Sequence, residues 1–354
     1  TTEPTFTVDV SNMAKEASPA ADVMTQIKAD IEASINAFGS DYTIKGQKSM
    51  WSKAATLMLK GEVYLWSGKQ MGGGNGDATV AKSALTDIQN NVSSLGLMEK
   101  FSDIFAYTEK GNKEIIFAFR NQLKEYDLWN GSFGGSFLPQ RNYLSTYYDA
   151  ATGEKFDLTK ENRLGLIRLG IKKDNMDRYD DKDSRKLATL KGAYNKLEDG
   201  TLDLIGVFNY KYQGVQDAGD SRSLCDDYPI YRYADLLLML AEAKAMLGES
   251  PAEEINAIRQ RAYGENYDSE TIGFPNQPND KDINETILEE RFKEFIMEGK
   301  RWYDLRRFGN EYVFEHTLAE NGNTDKLLWP IDKTTLTNNP ALNQTPGYKV
   351  AGAK

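Results

Sequence analysis

Between residues 283 and 310, Leu288, Phe292, Phe295, Gly299 and Trp302 recur at steps of four, three, four and three. That spacing places them on one face of an α-helix. Asn284 reads as the N-cap, with Leu288 placed to close on Ile283. Acidic Glu285, Glu289 and Glu290 near the start and basic Arg301, Arg306 and Arg307 near the end suit the helix dipole. Glu289 and Lys293 form a favourable i,i+4 pair, and Gly309 supplies the stop. The pattern predicts one charged amphipathic helix, with Gly299 marking a close approach and Trp302 a buried aromatic. Glu298 and Asp304 each have an arginine three residues away, the pattern of ion-paired helix residues rather than tuned acids.

The same period appears earlier in the chain. Val23, Ile27, Ile31 and Ile35 predict a helix over residues 20–38, ended by Gly39. A second helix is expected over 51–66, stopped by Gly68, followed by a glycine-rich loop at 71–77 and a third helix over 78–92. Small residues Ala54, Ala55 and Gly61 between bulky ones make the helix–loop–helix resemble a tetratricopeptide unit. The MGGGNGD loop follows a helix and lacks GK[ST], so it does not read as a phosphate cradle. Residues 226–248 predict a helix packed on most faces, with Ala234, Ala241, Ala243 and Ala245 permitting close neighbours. Residues 251–262 predict its partner, with Ser250 and Glu253 as a capping box and Pro251 at the first position.

The middle of the chain loses this texture. Residues 114–119 and 204–212 read as short strands. Residues 123–149 hold neither helical nor strand period, and read as loop over a scaffold. Trp129, Phe133, Phe137, Tyr143, Tyr147 and Tyr148 lie there, interleaved with Asn130, Gln140, Arg141 and Asn142. Either these aromatics pin the loop to the core, or some present a face to a ligand. The acidic run at 174–183 lacks the glycine and glutamate of an EF-hand loop and reads as a solvated loop.

Composition narrows the chemistry. A net charge of −10 with both signs mixed disfavours nucleic acid and anionic membrane surfaces. The single Cys225 excludes an internal disulfide framework and multi-cysteine zinc sites, and the single His316 excludes multi-histidine metal centres. His316 reads as an ordinary, partly exposed residue after the long helix. No apolar run is long enough to span a bilayer as a helix.

Three motifs, in order, resemble the SusD/RagB family. In ERFKEFIMEGKRWYDLRRFG, residues Glu290, Arg291, Glu294, Phe295, Glu298, Gly299, Arg301, Trp302, Asp304, Leu305, Arg307 and Gly309 match its signature, while Phe292 replaces a usual arginine. Pro229, Ile230, Arg232, Ala234, Asp235, Leu238, Ala241, Glu242 and Ala243 match a second landmark, and Ile255, Asn256, Ile258, Arg259, Arg261 and Ala262 its continuation. In the tail, Leu328, Pro330, Ile331, Leu336, Asn339, Pro340, Leu342, Gln344, Pro346, Gly347 and Tyr348 match. There Asp332, Thr335 and Thr345 depart from the usual Pro, Glu and Asn. Asp183 with Arg185 resembles the family's D-x-R turn.

The resemblance implies a mainly α fold: tetratricopeptide-like helix hairpins supporting an irregular, loop-rich lobe with a few short strands. One SusD-like domain is expected over 1–354, lacking its N-terminal part, with a helical region at 1–110, the irregular lobe at 111–225 and the helical signature and tail at 226–354. It also implies a non-catalytic, cofactor-free glycan-binding lipoprotein of the outer membrane, facing outward. Such a protein delivers oligosaccharide or polysaccharide to a SusC-like TonB-dependent transporter and is anchored through a cysteine upstream of this sequence. The signature helices would then be scaffold. A sugar ring offers C–H bonds to an aromatic face while its hydroxyls need polar partners. Trp129, Asn130, Phe133, Arg141 and Tyr143 are therefore the expected glycan contacts. Two other readings stand beside this one. A protein-interaction scaffold would use the helix hairpins but not the aromatic loop. A glycoside hydrolase needs a carboxylate pair that nothing in the sequence singles out.

Overall fold

The computed structural model describes residues 14–125, 134–161, 165–216 and 222–348. The chain opens with helices α1 (Ala20–Phe38), α2 (Lys53–Gln70) and α3 (Gly74–Asn91), then strand β1 (Ile115–Phe119). A lobe of short elements follows: α4 (Arg141–Leu144), β2 (Tyr148–Asp149), β3 (Glu154–Lys155), α5 (Arg185–Thr189), β4 (Leu190–Lys196), β5 (Leu202–Asn209), β6 (Val215–Gln216), β7 (Arg222–Ser223) and β8 (Tyr228–Arg232). Helices α6 (Tyr233–Met246), α7 (Ala252–Tyr263), α8 (Ile283–Phe295), α9 (Arg301–Phe308), α10 (Asn310–His316) and α11 (Lys333–Asn338) complete the chain. Helices α2 and α3 pair as a hairpin, α6 and α7 as a second, and α3 packs on α6 between them. This is the mainly helical, tetratricopeptide-like arrangement that the helix texture predicts.

Helix α6 is the axis. Ala234 to Ala243 are all buried, and it contacts α2, α3, α7 and α8. One core cluster joins Leu57, Leu65, Leu85 and Ile88 to Leu236 and Leu240, and a second joins Ala241 to Leu288, Leu305 and Val313. In the second lobe, β3-β2-β4-β5 form an antiparallel sheet over Phe156, Phe208 and Tyr212. Strands β1 and β8 pair antiparallel, Phe119 opposite Tyr228, and carry the chain from lobe to helices.

Several local expectations change. Helix α2 runs through Gly68, and α3 begins at Gly74, so the glycine-rich loop shrinks to its first residues. A Cβ on Gly68 would meet Met246 Cε at 3.0 Å and Gly74 O at 3.3 Å, so this glycine serves close packing rather than termination. No capping box forms at α7: Glu253 is exposed, and Ser250 Oγ accepts only from Ala252 N, at 3.4 Å. Residues 228–232, expected as helix, are strand β8, and Cys225 therefore precedes a strand. Strand β4, which pairs with β5, was not foreseen, because Lys191, Asn195 and Lys196 blur its alternation.

The largest correction concerns residues 283–310. The helix is capped by Asp282, whose side chain accepts from Asn284 N and Glu285 N, and it ends at Phe295. Met297 (φ 68°) and Gly299 (φ 73°) are left-handed, and a new helix, α9, starts at Arg301. Gly299 is thus outside any helix, and a Cβ there would lie 2.8 Å from the Tyr228 hydroxyl. Nor is α8 amphipathic: Glu290, Arg291, Lys293 and Glu294 are buried along with Leu288 and Phe295. Trp302 is only half-buried at the edge of its cluster. In the tail, Asp332 caps α11 through Thr334 N and Thr335 N, and Thr335 Oγ1 donates back to it. The Asp332 and Thr335 departures from the family pattern are therefore one capping device.

Candidate functional site

A catalytic reading would start from the buried carboxylates Glu114, Glu290, Glu294 and Glu298. Breaking the helix at Phe295 frees the last carbonyls of α8, which need donors. Tyr179 Oη donates to Lys293 O at 3.1 Å; Arg232 Nη2 and Lys211 Nζ donate to Glu294 O at 2.7 and 3.0 Å. The same cations hold the side chains. Arg232 donates to Glu114 at 2.8 Å, Glu294 at 2.6 Å and Glu298 at 2.9 and 3.0 Å. Lys211 Nζ lies 2.7 Å from Glu298, and Arg185 reaches Asp183, Glu290 and Glu294 at 2.7, 3.0 and 3.2 Å. Arg261 pairs with Glu114 and Glu294, and Arg259 bridges Asp280 and Glu290. Further along, Arg291 and Lys300 hold Asp235, while Arg307 holds Glu242 and Asp304. Glu298 therefore takes partners from other elements, not from Arg301 three residues on.

Charge compensation decides the protonation states. Burial disfavours ionised Glu290, yet Arg185 and Arg259 outweigh it and hold the carboxyl at about 2. Asp235, equally buried, is pulled to about 2 by Lys300 and Arg291. Glu294 and Glu298 are lowered too, burial being overcome by Arg261 and Arg232 for the first and by Arg232 and Lys211 for the second. A general acid for glycoside hydrolysis needs the opposite shift. These groups are a neutralised scaffold. Phe292 joins it: Arg178 stacks 3.8 Å over its ring, so the position usually held by arginine here accepts one instead.

Of the expected glycan contacts, Trp129, Asn130 and Phe133 lie outside the described residues. Arg141 and Tyr143 lie on α4, a single turn fixed by Leu144, which is fully buried in the core of the second lobe. With Leu144 inward, Arg141, Asn142 and Tyr143 are all exposed, Tyr143 to 59%. The turn is braced from behind, since Gly165 N donates to Pro139 O at 2.9 Å and Ile167 N to Leu138 O at 2.9 Å. Tyr147 and Tyr148 are half-buried, and Tyr147 packs on the core, so Tyr147 anchors the segment. Sequence reasoning missed Glu114 and Lys211. A charged residue at the lip of an apolar strand is the one signal Glu114 offered.

His316 ends α10, with Nε2 at 3.0 Å from Glu285 Oε2, and Glu315 stands close by. This partly exposed group ties α10 to the first turn of α8. The acidic run at 174–183 is mostly exposed, but Asp183 turns inward to Arg185. Among the described residues, no helix is long and apolar enough to cross a membrane.

Comparison with known proteins agrees with this architecture. Residues 97–348 match the SusD family. The structure resembles that of NanU from B. fragilis, with a TM-score of 0.89 and 49% identity, covering 95% of this chain and 71% of that one. It also resembles surface glycan-binding protein A from Bacteroides fluxus, with a TM-score of 0.66 and 25% identity over 93% of this chain and 70% of that one. SusD-like protein P38 of Formosa agariphila is 26% identical over 94% of this chain, which spans 66% of that relative's length.

Proposed function

The chain belongs to the SusD family, and on that premise we propose that it binds oligosaccharide or polysaccharide at the bacterial cell surface without cleaving it. What carries the reading is a division of labour between the two kinds of charged and aromatic residue. The signature residues spend their charges on one another inside the helices, whereas α4 turns Arg141, Asn142 and Tyr143 to solvent. An exposed phenol ring beside a guanidinium and an amide is suited to a sugar's C–H face and its hydroxyls. Trp129, Asn130 and Phe133, next in the same stretch, complete the proposed contact set. The glycan-binding name of the Bacteroides fluxus relative supports the same ligand class.

The proposal extends to place and partner: the outward face of the outer membrane, anchored by lipid on a cysteine outside these 354 residues, with the glycan handed to a SusC-like TonB-dependent transporter. A glycan array followed by affinity electrophoresis tests the binding. Retarded migration in at least one polysaccharide gel, with no shortened chains after long incubation, is expected. Failure to bind any glycan, or release of shorter products, would overturn the reading.

A further inference from the structure

A cavity of about 400 Å³ opens in the second lobe, and no residue of α4 lines it. One wall is the pair of 3-10 turns Phe101–Phe105 and Tyr107–Glu109, and the other is the segment running from Lys211 into β6. Its size falls within the range of small-molecule sites, at the lower end.

The polar groups around it fall into two sets. Those on the floor already have partners: Lys211 Nζ holds Glu298 at 2.7 Å, and Asp226 accepts from Gly214 N at 2.8 and 3.0 Å. The rim is mixed: Ser102 Oγ donates to Asp103 Oδ1 at 3.1 Å and Gln216 Nε2 to Thr159 O at 3.4 Å, while other groups there are open. The Tyr107 and Thr108 hydroxyls and the Gln213 side-chain amide have no hydrogen-bond partner among the described residues, although Lys110 Nζ lies 4.6 Å over the Tyr107 ring. Between floor and rim, Phe105 and Val215 add apolar surface. The floor charges are used up, so recognition passes through the rim hydroxyls, the Gln213 amide and the Asp103 carboxylate, set around an apolar patch. A ligand that fits this is compact, has one C–H-rich face and carries hydroxyls around its edge.

We propose that this cavity is a second saccharide subsite, taking a single sugar ring end-on, at a chain terminus or branch, while α4 meets the chain along its length. The proposal rests on the glycan-binding reading above. A flat, exposed turn can touch a polymer anywhere, whereas a recessed pocket of this size admits one unit and so can select it.

The test uses ligand-observed saturation-transfer NMR on the full chain with two probe sets. One is a panel of monosaccharides (glucose, galactose, mannose, N-acetylglucosamine), and the other is maltohexaose and laminarihexaose. At least one monosaccharide is expected to give a signal that weakens about tenfold in Thr108→Val/Gln213→Leu, the loss of two hydrogen bonds. It should persist in Arg141→Ala/Tyr143→Ala. Because Thr108 is exposed and Gln213 half-buried, both variants should keep the wild-type melting temperature, and Thr108→Trp, which crowds the mouth, should abolish the same signal. A monosaccharide signal indifferent to Thr108 and Gln213 overturns the subsite, as does binding of hexasaccharides with no monosaccharide bound; both leave the glycan-binding reading standing. If neither probe set binds and the array is also blank, that reading falls and the subsite with it.

Discussion

Arg232 Nη1 and Glu294 Oε1 meet at 2.6 Å in the centre of the molecule, and neither residue has any solvent-accessible surface. The pair joins the strand that leaves the irregular lobe to the helix that carries the family signature. Around it, Glu114, Glu298, Arg185 and Arg261 close a network whose members come from both lobes. A buried ion pair of this kind need not raise stability over a well-packed apolar alternative, but removing one partner strands the others.

Arg232→Met should therefore be among the most damaging single changes. It leaves three carboxylates, Glu114, Glu294 and Glu298, without their shared cation. A cost of about 3–5 kcal/mol, or more because three partners are affected, is expected, a large share of a typical domain's stability. Lys211→Met should be far milder, because Glu298 keeps both contacts to Arg232 and the cost of burying an ammonium disappears. Soluble yield and urea midpoints for the two variants check the contrast. Equal damage from both would mean that the network is not organised around Arg232.

Acid should unfold the protein through the same groups. The folded-state carboxyls of Glu290 and Asp235 sit at about 2, below their ordinary values of 4.5 and 3.8. A depressed carboxylate contributes stability that is full above its unfolded value and is lost as pH falls toward its folded one. Stability should thus decline from about pH 5 down to pH 2. Lys211 adds a slope of the same sign at the alkaline end, there by relief of a cost. Burial pushes its ammonium down to about 8, against the attraction of Glu298. Between pH 8 and 10.5 the unfolded chain binds the extra proton, so this group's contribution improves as pH rises. Urea midpoints across pH 3–10 should show the acid slope in the wild type. The alkaline rise should be absent from Lys211→Met.

Gly299→Ala should destabilise for two separable reasons. The residue is left-handed at φ 73°, where a side chain is strained by roughly 1–2 kcal/mol. Its added Cβ would also stand 2.8 Å from the Tyr228 hydroxyl. Tyr228→Phe in the same chain should recover the second part and leave the first. Melting temperatures of the single and double variants separate the two terms, and a double variant no better than the single would rule out the contact.

Much of this frame was legible because apolar period survives wherever a helix has a solvent side. Helix α1 has the predicted bounds, and β1 starts one residue late. The signature region defeated the same reasoning at Phe295, since a helical period cannot show that Met297 and Gly299 reverse the backbone. Nor does it show that Glu290 and Glu294 face inward, because a buried glutamate and a solvated one are spelled alike. Their partners Arg185, Arg232, Arg259 and Arg261 lie between 31 and 109 residues away in sequence. The site was less legible still: Arg141 and Tyr143 were singled out by composition, and only the inward turn of Leu144 supplies a reason for their exposure.

The proposed contact at α4 makes a prediction that separates binding from folding. Tyr143 is 59% exposed and belongs to no core cluster, so Tyr143→Ala removes little packing. If its ring is a sugar platform, glycan affinity should fall by on the order of 1–2 kcal/mol, roughly tenfold, with the melting temperature unchanged. Arg141→Ala should cost less, since a truncated guanidinium leaves its hydroxyl partner in water. Trp302→Ala is the counterpart in the scaffold. Half-buried on α9 against the cluster that holds Ala241, Leu288 and Val313, it should lose about 2–3 kcal/mol, less than a fully buried aromatic, while affinity per folded molecule stays constant. Isothermal calorimetry beside melting curves, using a polysaccharide identified on the array, reads both quantities in each variant. Unchanged affinity in Tyr143→Ala would remove α4 from the glycan surface and leave Trp129, Asn130 and Phe133 as the contacts to be tested next.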